Sequence, residues 1–157
     1  MNADIQRLRA QIQDHRAALA KQFGRLSDLH PAALDPGVEA QSAIALHHAY
    51  AAVEAILERC MVVLEGSKPR GPDSHRALLD SAALAIPEIR EPLLSRETVR
   101  ELHELRTFRH FVHHGYGADF DGARLQELRD AALALRPALD ADLDALDARL
   151  AVIASLR

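Results

Sequence analysis

The segment RHFVHHGY, over residues 109–116, gathers side chains that can do chemistry on a phosphate. It holds one permanent cation, three imidazoles and a phenol: Arg109, His110, His113, His114 and Tyr116. The guanidinium of Arg is always charged, and its planar fork fits phosphate oxygens. Imidazole takes up and releases protons near neutral pH. Cleavage of RNA without a metal ion requires this pair of groups, so the segment predicts phosphoryl-transfer chemistry.

The sequence before the segment predicts that it ends an amphipathic helix. With about 100° between successive residues, Leu105, Phe108 and Val112 fall on one side, where they would contact a core. Arg106 falls on the opposite side with the three histidines. Cations near a helix C-terminus are favoured by the helix dipole alone. The polar arc is nearly all Arg and His, however, which favours a functional site over an ordinary basic helix end.

The composition predicts an all-α protein. The chain has 157 residues, of which 48% are hydrophobic and only 4% aromatic, and it has no Trp. Leu and Ala dominate, which favours packed helices over a sheet. We therefore expect one domain, residues 1–157, folded as an up-and-down bundle of four to five helices. The net charge of −4 argues against nucleic-acid binding by bulk charge, so an RNA contact needs a local cationic patch.

The single cysteine, Cys60, excludes a disulfide framework and a Cys-rich zinc site. Its apolar helical surroundings predict a buried structural residue. The N-terminus leads straight into a charged helix, which is not typical of a secretion signal. No run reaches the roughly 18 apolar residues that a transmembrane helix needs. We expect a soluble, cytoplasmic protein that does not contact membranes.

Apolar periodicity and capping residues give the expected helices. They are a first helix that ends before Pro31, a second over residues 38–65, a short third over 74–85, a fourth that Ser95 caps and that ends at Gly115, and a fifth from residues 119–121 to the C-terminus. Pro137 is expected to kink or divide the fifth helix. The acidic residues beyond it predict a solvated face: Asp140, Asp142, Asp144 and Asp147.

The second helix is apolar nearly all round, which predicts a central position in the bundle. Its exceptions form one narrow stripe: His47, Tyr50, Glu54 and Glu58. Two interpretations stand. The simpler is a thin solvated strip on a mostly buried helix, and the other is a polar seam that faces the site.

The segment at residues 109–116 resembles the motif of the HEPN superfamily, and within it that of the HepT-like ribonuclease toxins. That motif is Arg, a polar residue, three variable positions and His, often followed by one residue and Tyr. The similarity extends over about residues 45–130, in the right order. It includes parts of the second helix, the short third helix and the approach to the motif: residues 51–57, 74–79, 94–98 and 105–110.

This resemblance implies an all-α homodimer in which two motif helices meet across a two-fold axis. It implies a metal-independent endoribonuclease that uses no cofactor and acts as the toxin of a toxin–antitoxin pair. The implied partner is a minimal nucleotidyltransferase antitoxin, which in this family can adenylylate the motif tyrosine, here Tyr116. The chain departs from the family pattern at His113, where many relatives have Arg, and at Ser74, where an aromatic residue is common. Both changes are expected to weaken RNA contact more than chemistry.

In such a site the ribose 2′-OH attacks the adjacent phosphorus and the 5′-oxygen leaves. His114 would serve as general acid or base, and Arg109 would hold the non-bridging oxygens. His110 would orient the phosphate or share proton transfer, and Tyr116 could hydrogen-bond the phosphate. His113 and Arg106 complete the expected phosphate-binding set.

Two further residues are expected to support the motif. Glu54 would orient Arg109 or a histidine. His75 can reach the same cleft, although an exposed histidine of the helix cap region is the simpler interpretation.

Two other functions remain open at this stage. The nine histidines, with the pair His110 and His114 one turn apart and Glu54 as a carboxylate, invite a metal-binding bundle. No His-Glu-X-X-His or Glu-X-X-His pattern occurs, and Arg109 would repel the cation. A catalytically inactive helical interaction module is the other alternative, since HEPN relatives include inactive members. The intact Arg-X4-His-X-Tyr pattern favours an active site over both.

Overall fold

The computed structural model describes residues 2–33, 35–114 and 121–156, except for the side chains of residues 33 and 109–114. The described residues form an all-α bundle with five helices, as predicted. The helices are α1 (Asn2–Asp28), α2 (Pro36–Glu65), α3 (Ser74–Ala82), α4 (Arg96–His114) and α5 (Gly122–Ser155), with a 3₁₀ turn at Pro31–Ala33. None of these helices has the length and apolar character that crossing a bilayer would require.

The central element of the bundle is α2, which packs against the other four helices. It buries apolar side chains around most of its circumference, including Leu46, Ile56 and Leu57. The side chain of Asp35 caps its first turn by accepting a hydrogen bond from the Gly37 amide at 2.8 Å. It ends where the sequence predicts, at Gly66, whose left-handed backbone (φ 80°) suits a glycine.

Ion pairs join α1 to α5. Arg9 donates two hydrogen bonds to Asp147, at 2.8 and 3.0 Å, and this contact holds the pKa of Asp147 below its ordinary value. Arg16 lies 2.8 Å from Asp144. Asp142 accepts a hydrogen bond from the Ser95 amide at 2.9 Å. The predicted solvated face is confirmed at Asp140 and Asp144, whose side chains are 46% and 72% exposed. It is wrong at Asp147, whose side chain is only 24% exposed because Arg9 of α1 holds it.

The third helix is shorter than predicted, because it ends at Ala82 and not at Ala85. The chain folds back after it, so that the amides of Leu93 and Leu94 donate to the Ala82 carbonyl at 2.8 and 3.1 Å. These hydrogen bonds give the Ala82 carbonyl the donors that a further turn of helix would have supplied.

The returning loop is anchored by Arg90, whose side chain is only 3% exposed. Its guanidinium donates to Glu65 at 2.6 Å and to the carbonyls of Ser81 and Leu84 at 3.0 and 2.7 Å. One buried cation thus joins the ends of α2 and α3. Helix periodicity could not predict this contact, because the partners are far apart in the sequence.

The remaining helices follow the predicted caps. Ser95 accepts a hydrogen bond from the Thr98 amide at 3.2 Å and begins α4. Asp121 does the same for α5, with the Ala123 amide at 3.0 Å. Pro137 lies inside α5, which continues through it as one helix, so the fifth helix is not divided.

Replacement of glycine by alanine should have opposite effects on stability at two positions, Gly122 and Gly24. A Cβ atom added to Gly122, which is buried at the start of α5, would lie 2.7 Å from the Pro31 carbonyl oxygen and 2.7 Å from a Glu39 carboxylate oxygen. The backbone carbonyl must shift, so Gly122→Ala should destabilise the fold by about 1–3 kcal/mol. Gly24 lies in α1 with nothing within 4 Å of the added atom. Gly24→Ala should stabilise the fold by about 0.5–1 kcal/mol through helix propensity.

Urea unfolding of both variants and the wild type, at one protein concentration, checks the two signs. Equal stability of the Gly122→Ala variant and the wild type would contradict the close approach of α5 to the 3₁₀ turn.

Candidate functional site

The helix that carries the predicted motif is present: α4 continues to His114. The side chains of Arg109, His110, His113 and His114 lie outside the described side chains, and Tyr116 lies outside the described residues. Their roles therefore stay predictions.

The part of α4 that leads to the motif has the predicted orientation. Leu102, Leu105 and Phe108 are buried in the core. Arg106 is half-buried on the other side of the helix. This confirms the helical projection up to residue 108, and it means that the start of the motif follows directly on a well-anchored turn.

The polar stripe of α2 turns inward at its centre. Tyr50 and Glu54 are 1% and 6% exposed, and the Tyr50 hydroxyl donates a hydrogen bond to Glu54 Oε2 at 3.0 Å. At the next turn, Glu58 is half-buried and pairs with Lys68 of the following loop. The interpretation as a solvated strip is therefore wrong at Tyr50 and Glu54, which form a buried polar seam. That this seam faces the motif stays a prediction.

The buried carboxylate has a second partner on α3. Nδ1 of His75 lies 2.5 Å from Glu54 Oε2, the oxygen that also accepts from Tyr50. Because a carboxylate accepts hydrogen bonds, Nδ1 carries the proton and donates it. The His75 side chain is 38% exposed. His75 thus lies in the first turn of α3 and is open to solvent, and it is also anchored to the seam. We call Tyr50, Glu54 and His75 the carboxylate cluster.

A second hydrogen-bonded chain links α3 to α4. Nε2 of His103 lies 2.9 Å from an oxygen of Asp80, and Arg106 Nε donates to His103 Nδ1 at 3.3 Å. His103 Nδ1 is thus an acceptor, so its proton is on Nε2 and is donated to Asp80. Arg106, predicted as a phosphate-binding residue, is held by a neutral imidazole.

Sequence reasoning missed Asp80 and His103 as members of this chain. The spacing of His103 and Arg106, three residues apart on one helix face, was a usable signal. Asp80 had none, because its contact depends on how α3 packs against α4. Likewise Tyr50 was recognised only as a member of the stripe, and its hydrogen bond to Glu54 follows the i, i+4 spacing.

The other described residues do not form a second candidate site of clustered polar side chains. In the described residues, no group of three His, Cys, Asp or Glu side chains is placed to hold a metal ion. Cys60 is fully buried, as predicted, and burial raises the pKa of its thiol to about 12. An apolar groove of about 470 Å³ lies between residues 85–93 and the end of α5, and none of the predicted site residues lines it.

Comparison with known proteins identifies the family. A family model described as HepT-like protein matches residues 41–150, which run from α2 through α4 into α5. The match includes the motif, the carboxylate cluster and the Asp80–His103–Arg106 chain. It confirms the resemblance that the sequence analysis placed at about residues 45–130. Neither the curated proteins nor the solved structures gave a significant match.

The hydrogen bonds of His75 and His103 predict opposite tautomers for the two imidazole rings. In the neutral ring, His75 should carry its proton on Nδ1 and His103 on Nε2. Nitrogen-15 chemical shifts of the ring nitrogens distinguish the two forms. Asp80→Asn serves as a control, since it should perturb the signals of His103 and leave those of His75 in place. A neutral His75 with its proton on Nε2 would contradict the hydrogen bond to Glu54.

Proposed function

Because this chain belongs to the HepT-like family, we propose that it is the ribonuclease toxin of a toxin–antitoxin pair and cleaves RNA without a metal ion. The observation that carries the proposal is the family match over residues 41–150, which includes the intact pattern of Arg109, His114 and Tyr116. The buried carboxylate cluster beside the motif helix supports it, because an ionisable group kept in an apolar core is typical of functional sites.

In the proposed reaction the ribose 2′-OH attacks the neighbouring phosphorus and the bond to the 5′-oxygen breaks. His114 transfers a proton, since imidazole is the side chain that takes up and releases protons near neutral pH. Arg109 binds the non-bridging oxygens and offsets the charge that builds up in the transition state. His110 orients the phosphate. The products are a 2′,3′-cyclic phosphate and a 5′-hydroxyl.

Arg106 and His113 would bind neighbouring phosphates of the RNA. The chain carries a net charge of −4, so RNA binding depends on a local set of cations and not on the whole surface. The hydrogen bond from Arg106 to His103 at 3.3 Å supports this role, because it restricts the guanidinium before RNA arrives.

The proposed active form is a homodimer in which two motif helices meet across a two-fold axis. A two-fold interface presents the same patch from each subunit, so the two motifs would line one groove. Glu54 would keep its expected orienting role within each subunit, through His75 or through Arg109.

The proposed partner is a minimal nucleotidyltransferase that acts as antitoxin by adenylylating Tyr116. The added group brings a negatively charged phosphate into a site that binds phosphates. It would repel RNA by the same electrostatics by which phosphorylation blocks anion binding.

Arg109→Ala and His114→Ala should each lower the cleavage rate by at least about 100-fold and leave the fold intact, because each removes one half of the chemistry. The matched controls are Arg100→Ala, an exposed arginine of the same helix, and His30→Ala, an exposed histidine far along the chain. Both controls should cleave like the wild type. The assay is cleavage of total RNA by purified protein, with detection of ends that carry a 2′,3′-cyclic phosphate, and EDTA should not change the rate.

Unchanged cleavage by His114→Ala would eliminate the mechanism. A wild-type protein that leaves RNA intact, in the absence of the antitoxin, would instead favour the inactive interaction module.

Tyr116 should be the residue that the antitoxin modifies. Incubation of the wild type with the nucleotidyltransferase and ATP should raise its intact mass by whole adenylyl groups and inhibit cleavage, whereas Tyr116→Phe should gain no mass and stay active in the same mixture. The second tyrosine, Tyr50, is a natural control because it is buried. Adenylylation of Tyr116→Phe would show that the target lies elsewhere.

A further inference from the structure

We infer that His75 is a second proton-transfer residue of the proposed site: the general base that removes the 2′-OH proton. The juxtaposition that carries this inference is a half-exposed imidazole on α3 whose Nδ1 is held by the buried Glu54 carboxylate of α2. Both of these helices pack against α4, which carries the motif. The inference rests on the proposed ribonuclease function.

The carboxylate fixes the chemistry of the imidazole. His75 donates from Nδ1 to Glu54 Oε2 at 2.5 Å, so in the neutral ring the lone pair lies on Nε2. A carboxylate on Nδ1 also stabilises the imidazolium that forms when Nε2 takes a proton. The Tyr50 hydroxyl, at 3.0 Å from the same oxygen, keeps the carboxylate in place. These are the features of an oriented general base.

Stability alone does not account for this arrangement. The Glu54 side chain is only 8% exposed, and its neighbours Val53, Ile56 and Leu57 are apolar and buried. Taking a carboxylate out of water costs several kcal/mol, which its hydrogen bonds only offset. An apolar side chain of similar volume at this position would commonly be as stable or more so. His75 on the outer side of the carboxylate remains open to solvent, as a residue that meets RNA must be.

The packing of α3 on α4 brings His75 to the motif. The end of α3 bonds to the residues just before α4, and Asp80, two residues before that end, bonds to His103. The two helices therefore run in opposite directions. From Asp80 back to His75 the rise is about 7.5 Å, and the same rise from His103 forward reaches Phe108. His75 thus lies, relative to Asp80, toward the end of α4 that carries the motif.

Cleavage by 2′-OH attack needs one base and one acid, and in the proposed reaction His114 fills one of these two roles. In the inferred step, His75 Nε2 takes the 2′-OH proton as the O2′–P bond forms. The P–O5′ bond breaks, and protonated His114 gives its proton to the 5′-oxygen. The two histidines then exchange protons with water, so that the enzyme is restored. Both proton-transfer groups would come from one chain.

A substrate with sulfur in place of the bridging 5′-oxygen separates the two roles, because a thiolate leaves without a proton. On ordinary RNA, His75→Ala and His114→Ala should each lower kcat by about 10²–10⁴-fold. On the sulfur substrate, His114→Ala should recover to near the wild-type rate, whereas His75→Ala should stay slow. His48→Ala, an exposed histidine of α2, is the control and should match the wild type on both substrates.

Two further variants test the part played by the carboxylate. His75→Gln can still donate to Glu54 from its side-chain amide, so the cluster persists, and it should be as slow as His75→Ala. Glu54→Gln can still accept from His75 Nδ1 through its amide oxygen, but it removes the negative charge that stabilises the imidazolium, so it should also slow cleavage of ordinary RNA. The double variant His75→Ala/Glu54→Gln should be little worse than His75→Ala, since the two residues act as a unit.

Wild-type rates for His75→Ala and His75→Gln on ordinary RNA would overturn the inference and leave the proposed function standing. Recovery of His75→Ala on the sulfur substrate would also overturn it, because the residue would then be the acid. A wild type that cleaves neither substrate would overturn the proposed function, and this inference with it.

Discussion

The buried carboxylate of Glu54 is the constraint on which the described half of the site depends. An ionised carboxylate is stable inside a protein only when hydrogen-bond donors replace the lost water. Among the described residues, Tyr50 donates from one turn before Glu54 on the same helix, and His75 donates from α3. The need for the second donor holds α3 against α2, and α3 in turn bonds to α4 through Asp80. One buried charge thus helps to fix the positions of three helices.

Two carboxylates of the same stripe, Glu58 and Glu54, show how burial changes the energetic cost of losing a partner. Glu58 pairs with Lys68 in a contact whose side chains are 37% and 40% exposed, and such exposed pairs contribute about 0–1 kcal/mol. Loss of a partner from Glu54 would cost more, because an unpaired buried charge remains. The stripe therefore contributes differently along α2. At Glu58 it forms an ordinary surface ion pair, whereas at Glu54 the loss of one hydrogen-bond partner would destabilise the fold.

Helix-level features could be predicted from the sequence because their causes are local. The end of α2 at Gly66, the cap at Ser95 and the buried side of α4 up to Phe108 each follow from residues a few positions apart. The end of α3, the pairing of the α5 acids and the burial of Glu54 could not be predicted in this way. They depend on Arg90, on α1 arginines and on His75, which are distant in sequence and meet their partners only through packing. The roles of Arg109 and His114 rest on the motif and the family alone, since their side chains lie outside the described ones.

His75 and His103 use their ring nitrogens in opposite ways in the proposed site, which must bind a polyanion although the chain has a net charge of −4. His75 donates from Nδ1 to a carboxylate, whereas His103 accepts at Nδ1 from Arg106. An arginine oriented by a carboxylate shares its charge with that anion, so less of its field is left for a phosphate. A neutral imidazole orients Arg106 without cancelling its charge, and places the Asp80 carboxylate one ring further away. In the proposed ribonuclease this arrangement leaves Arg106 a cation that is already oriented, which is the local attraction that an acidic protein needs in order to hold RNA.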